Sequence, residues 1–266
     1  GYNWDKGRHH VQVNGRTDKL SDIERENTGA INYGFDVTDK VKLFAGYSNG
    51  FSAPNFNEMF WPGYYFAGSL IPVSNPKLKP EHATYAQAGA QYSDDYLTGR
   101  VTYFETHYRD KIAFSSTFPS IPVNVNRAKA RGVEWSGSYH RDGWNFDSNL
   151  TYQDVKDSAT GERFLRQPRI LAGLGVGKTW GKWHGQVDWH MQGNVIDQVY
   201  DTNFNPTKVK VGGYSVVNAA LTYAPMSNVK LGLSVGNLFN RHYQTVYGYN
   251  SMPRNVLLSL QYQPKW

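Results

Sequence analysis

The sequence predicts an all-β protein whose strands form part of an antiparallel transmembrane β-barrel, and three observations support this prediction. Polar and apolar residues alternate over short segments along most of the chain, which is the period of a strand with one apolar and one polar face. Long and short connections alternate between these segments. Aromatic residues make up 15% of the chain, although no run approaches the ~18 apolar residues that a membrane-spanning helix needs.

The alternation is clear in the last predicted strand, where Leu258 and Leu260 share one parity and Ser259 and Gln261 the other. No segment shows a convincing helical period. About 12 strands are predicted in total, and they cover residues 9–17, 27–37, 41–51, 84–93, 97–108, 131–140, 144–155, 165–180, 183–192, 214–224, 229–237 and 255–263.

The connections between these strands indicate which ends of the strands lie on the same rim. Spans such as 52–83 are long, and each long span is followed by a short turn before the next one. The short turns cover residues 38–40, 94–96, 141–143, 181–182 and 225–228. Long loops on one rim and short turns on the other are typical of outer-membrane barrels, whose short turns face the periplasm. A soluble sandwich or up-and-down barrel is the alternative, but such domains rarely keep this phase over the whole chain.

The charge of the chain disfavours nucleic-acid binding. The net charge is +6, but the 28 Lys and Arg residues are scattered and form no block of five or six. The first ten residues, GYNWDKGRHH, are interpreted as a loop running into a strand, and they show no signal peptide. We therefore expect that an N-terminal part of a longer protein precedes this chain.

Four sequence motifs resemble those of TonB-dependent outer-membrane receptors. The first is LFAGYSNGFSAPNFNEMF at 43–60, and the second is NPKLKPE at 75–81. The third is NRAKARGVE at 126–134, and the fourth is GNLFNRHY at 236–243, before the last strand. All four occur in the family's order and at its spacing. The stretches 209–213 and 243–249 are similar to the subfamily that transports cobalamin (vitamin B12). Trp266 stands where these barrels usually end in Phe, so an aromatic residue is kept at that position.

The resemblance implies a barrel of about 22 antiparallel strands with a plugged lumen, of which residues 1–266 would form the C-terminal part. The plug, the TonB-binding segment and the first strands would lie outside this chain, as would the calcium loops of the subfamily. Such a part has two open sheet edges, so we expect further strands to complete it. The implied location is the outer membrane of a Gram-negative bacterium. The implied partners are the membrane lipid, the TonB–ExbB–ExbD complex, a small-molecule ligand and a periplasmic binding protein downstream.

The resemblance also implies a ligand site in the long loops, because these receptors recognise a nutrient there and import it by TonB-driven rearrangement of the plug. Tyr249 aligns with a ligand-contacting tyrosine, and Tyr247 and Asn250 share its loop. Arg166 aligns with an inward arginine near the extracellular mouth, where its planar fork of donors would suit carbonyl or phosphate groups. Phe204 lies close to another contact tyrosine. Each of these residues could instead serve only in packing.

Three other functions remain as alternatives. The ligand could be an iron chelate, siderophore or haem, of the same family. The histidines favour no metal site, because His184 and His190 are six residues apart, which is ~20 Å along a strand. An outer-membrane enzyme would need a serine and a histidine with an orienting acid; Ser136 and His140 share a face, but no acid is placed beside them. A passive porin would not carry the four motifs.

Overall fold

A computed structural model describes residues 1–19, 25–115, 117 and 119–264, without the side chains of residues 125 and 126. Trp266 lies outside the described residues. The secondary structure is almost entirely strand. Its elements in chain order are β1 Tyr2–Lys6, β2 His9–Asp18, β3 Glu26–Asp36, β4 Val41–Ser52, α1 Phe56–Phe60, β5 Tyr64–Phe66, β6 Ser69–Ile71, β7 Glu81–Ser93, β8 Leu97–Phe114, β9 Pro122–Arg141, β10 Trp144–Asp157, β11 Ile170–Trp180, β12 Trp183–Gln192, β13 Val195–Tyr200, β14 Pro206–Val211, β15 Tyr214–Met226, β16 Val229–Gly236, β17 Gln244–Val246, β18 Tyr249–Asn250 and β19 Asn255–Tyr262.

Thirteen of these strands form one antiparallel sheet in the order β1-β2-β3-β4-β7-β8-β9-β10-β11-β12-β15-β16-β19. Each main strand therefore pairs with the next main strand along the chain, as an up-and-down barrel wall requires. The all-β prediction is confirmed. β1 and β19 lie at the two ends of the sheet, and neither pairs with a further strand among the described residues. That additional strands complete the wall remains a prediction.

The structure corrects the predicted elements at several places. β8 extends to Phe114 and β9 begins at Pro122, whereas the predicted strands were 97–108 and 131–140. The first residues are not a loop, because β1 and β2 form a hairpin in which Gly7 takes a φ of +60° at the tight turn. The strand predicted from residue 165 begins only at Ile170, so the preceding residues belong to a long loop. One short helix, α1, was not predicted; Asn55 and Glu58 close its first turn with reciprocal hydrogen bonds of 2.9 and 2.8 Å.

The predicted alternation gives the sheet two distinct faces. Leu150, Trp135 and Val101 lie side by side on β10, β9 and β8, and each is 41–44% exposed. Thr102 and Phe104, on the opposite face of β8, are buried. We call the exposed apolar side the outer face and the opposite side the inner face. An apolar outer face suits contact with lipid, and the alternation along each strand is the barrel pattern predicted from the sequence.

On the inner face, an aromatic ring covers a glycine of the neighbouring strand. Gly89 pairs with Phe44, and a side chain at Gly89 would meet the Phe44 ring at 2.5 Å and the Val101 carbonyl oxygen as well. The guanidinium carbon of Arg100 lies 3.9 Å from the centroid of the same ring. The ring fills the space that a glycine leaves in a curved sheet, and the cation lies against its negative face.

Near the short turns, the outer face carries aromatic pairs. Trp183 stacks on Tyr223 with ring centroids 4.3 Å apart, and Trp144 stacks on Phe146 at 5.6 Å. Lys178 places its Nζ 4.7 Å from the Trp144 centroid. Aromatic rings flanked by cations are typical of the level where a bilayer meets water. No helix in the described ranges is long and apolar enough to cross a membrane.

Candidate functional site

The long connections all lie at the rim opposite the short turns, and three of them contain small hairpins of their own. These are β5–β6, β13–β14 and β17–β18, none of which belongs to the main sheet. Two-residue turns that contain a glycine close β5–β6 and β17–β18, such as the turn at Tyr247 and Gly248, where Gly248 has a φ of +81°. The five residues 201–205 close β13–β14. The loops therefore have defined local structure, and side chains on different loops come together at fixed positions.

Asp197 of β13 joins three of the long loops, those that contain Arg166, β13–β14 and β17–β18. One carboxylate oxygen, Oδ1, accepts a hydrogen bond of 2.8 Å from Nε of Arg166 and one of 2.9 Å from the backbone N–H of Gln198. The other oxygen, Oδ2, accepts a hydrogen bond of 3.0 Å from the backbone N–H of Tyr247. The backbone N–H of Arg166 also donates to the carbonyl oxygen of Ile196. Residues far apart in the sequence thus share a single carboxylate, which we call the Asp197 junction.

The environment of Asp197 keeps its carboxyl group ionised. The side chain is only 2% exposed, and this burial is the largest single influence and acts to raise the pKa. The hydrogen bonds from Tyr247 N–H, Arg166 and Gln198 N–H together outweigh it, so the net result is a pKa below the ordinary value. The buried charge is compensated by donors from three chain segments.

Arg166 is held on one side and exposed on the other. Its side chain is 57% exposed although its Nε is bound to Asp197, and its terminal nitrogens bond to no residue that the structure describes. Its φ of +58° lies in the left-handed region, which is uncommon for residues other than glycine. A guanidinium oriented by one carboxylate still offers donors to a second acceptor.

The three candidate residues of the last long loop lie on β17–β18 and its turn. Tyr249 is 74% exposed and Tyr247 is 48% exposed. Asn250 is exposed but its Oδ1 already accepts a hydrogen bond of 3.0 Å from Nε2 of Gln244. Asn250 therefore holds its own hairpin, whereas the two tyrosine rings present surface to the outside of the loop.

Phe204 lies at the tip of the β13–β14 hairpin, in a turn organised by Asp201. The Asp201 carboxylate accepts hydrogen bonds from the backbone N–H groups of Asn203 and Asn205, each at 2.8 Å. The Phe204 ring packs edge-on against Phe66 of β5 with centroids 6.4 Å apart. Phe204 thus connects its hairpin to the 53–80 loop rather than to the Asp197 junction.

The motif residues of the sequence serve mainly to hold the loops. Asn237 is 4% exposed, and its side chain bonds to the backbone of Arg241 in both directions and to the carbonyl oxygen of Met252. In the second motif, Asn75 donates to the carbonyl oxygen of Pro122 at 3.0 Å. These positions fix where the long loops leave the sheet, and they explain the motifs structurally without a ligand.

The sequence prediction included Arg166 and Tyr247 but missed Asp197, which connects them. The only signal was a single acidic residue in the apolar segment VIDQVY at 195–200. Of the five predicted site residues, the structure brings two to the Asp197 junction, places Tyr249 and Asn250 on the adjoining hairpin, and places Phe204 elsewhere. Whether any of them contacts a ligand stays a prediction. The arrangement can offer donors and aromatic surface for recognition.

Comparisons with known proteins give one family. The family model described as "TonB dependent receptor-like, beta-barrel" matches residues 1–238. A vitamin B12 transporter, BtuB, of Photobacterium profundum is 24% identical over 254 residues, which cover 93% of this chain and 39% of the transporter.

Solved structures show the same fold. The ferric enterobactin receptor PfeA of Pseudomonas aeruginosa, a Q482A mutant in complex with enterobactin, superposes with a TM-score of 0.81 at 21% identity over 98% of this chain and 44% of the receptor. The siderophore receptor PirA of Acinetobacter baumannii gives a TM-score of 0.78 at 19% identity over 96% of this chain and 43% of the receptor.

The chain spans less than half the length of each of these proteins. The matched relatives are receptors and transporters, and the family and the barrel fold imply a Gram-negative outer membrane. The family match extends over most of the chain, and the up-and-down sheet with an apolar outer face agrees with it. The chain belongs to the TonB-dependent receptor family and forms part of its β-barrel domain.

Proposed function

We propose that the chain is the C-terminal part of the barrel of an outer-membrane active-transport receptor for cobalamin or a related corrinoid. The receptor binds its ligand at the extracellular loops and imports it by a TonB-driven rearrangement of the plug. The plug, the TonB-binding segment and the first strands belong to the remainder of the protein. TonB–ExbB–ExbD and a periplasmic binding protein are the proposed partners, and the proposed calcium sites lie in the remainder.

The observation that carries the cobalamin proposal is the sequence similarity to a vitamin B12 transporter. The two are 24% identical, and the alignment covers 93% of this chain. The geometry of the loops supports it. A corrinoid is large, rigid and amphipathic, with carbonyl and phosphate oxygens at its edges. Exposed tyrosine rings supply contact area at low entropic cost, and the exposed side of Arg166 supplies directed donors.

A ferric siderophore is the second candidate. The structural neighbours include a receptor in complex with enterobactin, and the superposition extends over nearly the whole chain. An anionic iron chelate would also suit the exposed guanidinium of Arg166. Haem, the other iron ligand considered, has no comparable support from the described loops. The two leading candidates differ in ligand but share the loop site and the transport class.

The experiment that tests the proposal is direct binding of cyanocobalamin, ferric enterobactin and haem to the full-length receptor in detergent. We expect nanomolar cyanocobalamin binding that falls at least tenfold in the Tyr249→Ala and Arg166→Ala variants. Tyr262→Ala is the matched control, because Tyr262 is also a well-exposed tyrosine but lies on β19, away from the long loops.

The outcomes separate ligand from site. Binding of ferric enterobactin or haem in place of cyanocobalamin would overturn the corrinoid assignment and keep the receptor class. Cyanocobalamin affinity that is unchanged in both loop variants would overturn the site while keeping the ligand. A receptor that binds none of the three would contradict both candidates.

A further inference from the structure

A cluster of four titratable side chains crosses the inner face of the first four strands, close to the short turns. Its members are Asp5 of β1, His10 of β2, Asp36 of β3 and Lys42 of β4. His10 pairs with Gly34, and Gly34 pairs with Phe44, whose ring lies on the inner face. The cluster therefore lies on the same face as that ring. We call these four residues the His10 cluster.

His10 binds a carboxylate through each of its two ring nitrogens. Nδ1 lies 2.6 Å from Oδ1 of Asp5, and Nε2 lies 2.6 Å from Oδ2 of Asp36. Lys42 places its Nζ 3.4 Å from the other oxygen of Asp36. A Cβ at Gly34 would lie 3.6 Å from the side chains of both His10 and Lys42, so both side chains pass over this glycine. Side chains of four neighbouring strands are thus joined in one polar chain.

The two short contacts of His10 require a proton on each ring nitrogen. A carboxylate only accepts hydrogen bonds, and a neutral imidazole has a single N–H, which can serve one carboxylate but not two. The imidazolium has two N–H groups and serves both. The proton belongs to the histidine rather than to a carboxylic acid, because aspartate ordinarily loses its proton near pH ~4 and histidine near pH ~6.5. The arrangement is therefore that of a charged His10.

The charges around His10 balance only when the imidazole is protonated. Asp5 and Asp36 bring two negative charges, which Lys42 and the imidazolium neutralise. Three further charged residues line a recess beside Asp36 and Lys42 at the short turns, and they are Arg8, Asp39 and Lys40. Within the described ranges, none of these three forms a hydrogen bond or a salt bridge with His10 or Asp5. The charge of His10 therefore decides the charge balance of the cluster.

The two aspartates differ in how firmly they are held. The Asp36 side chain is 31% exposed and keeps Lys42 as a partner when His10 loses its proton. The Asp5 side chain is 69% exposed, and His10 is its one side-chain partner among the residues that the structure describes. A carboxylate beside an unprotonated nitrogen is repelled, and the exposed one can move into water at the lower cost. Loss of the His10 proton therefore releases Asp5, and with it a side-chain tie between β1 and β2.

We propose that the His10 cluster is a pH-sensitive clamp that holds β1 against β2 in mild acid and releases it as the pH rises. The stabilising form is the protonated one, so its contribution is complete at the acid end of the histidine range and is lost as His10 deprotonates. β1 lies at the end of the sheet, where one side-chain tie has the most effect on the order of a strand. The clamp contains none of the proposed ligand residues, so it goes beyond the proposed function and does not depend on which nutrient is bound.

The clamp is tested by hydrogen exchange of residues 2–6 in the full-length receptor in detergent. Protection is corrected for the intrinsic exchange rate at each pH and is followed from about pH 5.5 to about pH 9, a range that covers the titration of histidine. We expect wild-type protection to fall about tenfold over this range, as the loss of one charge-assisted hydrogen bond implies. His10→Gln should show the lower protection at every pH, because its amide donates to one carboxylate only.

The matched control is the neighbouring histidine on the opposite face. His9 pairs with Lys6 and Phe35 in the outer rows, and its Nδ1 lies 2.7 Å from the hydroxyl oxygen of Tyr33. His9→Gln removes a histidine one position away and should keep the wild-type pH response. Heat-resistant migration in gels shows that each variant is assembled.

Asp5→Asn should preserve protection at the alkaline end. The asparagine NH₂ group can donate to the unprotonated Nδ1 of His10, while the N–H at Nε2 donates to Asp36. A neutral His10 then satisfies both neighbours, so protection of residues 2–6 at about pH 9 should exceed that of the wild type about tenfold. A merely structural role of Asp5 would give the opposite result, since removal of its charge would then weaken the hairpin at every pH.

Four results would overturn the clamp. They are a wild-type protection that is constant over the range, a wild-type pH response that persists in His10→Gln, a response that disappears in His9→Gln, and an Asp5→Asn variant that loses protection as the wild type does. If His10→Gln does not assemble, the wild-type series and Asp5→Asn decide, because a clamp requires a response in the first and its absence in the second.

Discussion

The side-chain oxygen Oδ1 of Asp197 accepts a hydrogen bond of 2.8 Å from Nε of Arg166, although 31 positions separate the two residues in the chain. The other oxygen of the same carboxylate binds the backbone N–H of Tyr247, a further 50 positions along. Arg166 and Tyr247 were each predicted as ligand residues from their own loops. Their common partner makes them one unit, so a change at Asp197 should affect both without any contact to the ligand.

Replacing Asp197 by Asn should loosen the loops and leave the barrel intact. The amide keeps the shape of the side chain, but it loses the charge and turns an NH₂ group towards one of the donors. We expect loop ordering to weaken by about 1–2 kcal/mol, with about a tenfold loss of ligand affinity, and wild-type heat-resistant assembly. Hydrogen exchange at residues 244–250 and direct ligand binding provide the measurements.

Asp201→Asn is the control for this variant, because the Asp201 carboxylate bonds only within its own turn in the structure described. It should increase exchange at 201–205 and leave 244–250 protected. Equal protection of 244–250 in the wild type and the Asp197 variant would mean that the junction contributes nothing to the order of that loop.

The Asp197 junction should resist mild acid. The folded pKa of Asp197 lies below its ordinary value of 3.8, so the ionised carboxylate stabilises the loops above that value, and the contribution is lost only as the pH falls through the lower folded value. We expect a constant exchange protection factor for the Tyr247 amide from neutral pH down to about pH 4, with loss below it. Loss of protection already near pH ~6 would point to a different titrating group, because the ordinary aspartate value lies well below that pH.

Most strands of the main sheet were predictable from the sequence, and the Asp197 junction was not. The alternation of Leu258 and Ser259 reports which side of a wall each residue faces, and this pattern is local. The pairing of Asp197 with Arg166 depends on a left-handed backbone at Arg166 and on the β13–β14 hairpin, whose turn has a second left-handed residue, Phe204. Such loop conformations arise from many weak contacts between distant segments, and a single sequence contains no periodic signal for them.

Asn237 should prove essential for the order of the last long loop. Its φ is +50°, and its buried side chain bonds to the backbone of Arg241 and Met252. Asn237→Gly keeps the backbone conformation but loses these bonds, at a cost of about 1–3 kcal/mol. Asn237→Ala also strains the left-handed backbone, which adds roughly 1 kcal/mol. Exchange at the Arg241 amide should therefore increase in the order wild type, Gly, Ala.

The order of the two variants separates the causes. If the Gly and Ala variants exchange equally fast, the left-handed conformation carries no cost and the hydrogen bonds alone hold the loop. If both retain wild-type protection, the order of the loop comes from elsewhere. Pairing of β16 with β19 should survive in both variants, because Asn237 lies beyond the last paired residue of β16, Gly236.

Leu258→Lys should impair insertion of the barrel into a membrane. Leu258 is 78% exposed on the outer face near the middle of β19 and lies opposite Leu233 of β16. A lysine there would place its charge against the acyl chains, which costs about 2–4 kcal/mol at the bilayer midplane.

The adjacent residue supplies the control: Ser259 lies opposite Gly232 on the inner face, and Ser259→Lys keeps the same charge in a polar environment. Folding into lipid vesicles, followed by heat-resistant migration, should therefore be impaired in the first variant and normal in the second. The reverse result would mean that the two faces have been assigned the wrong way round, since one position along a strand is the whole difference between lipid and lumen.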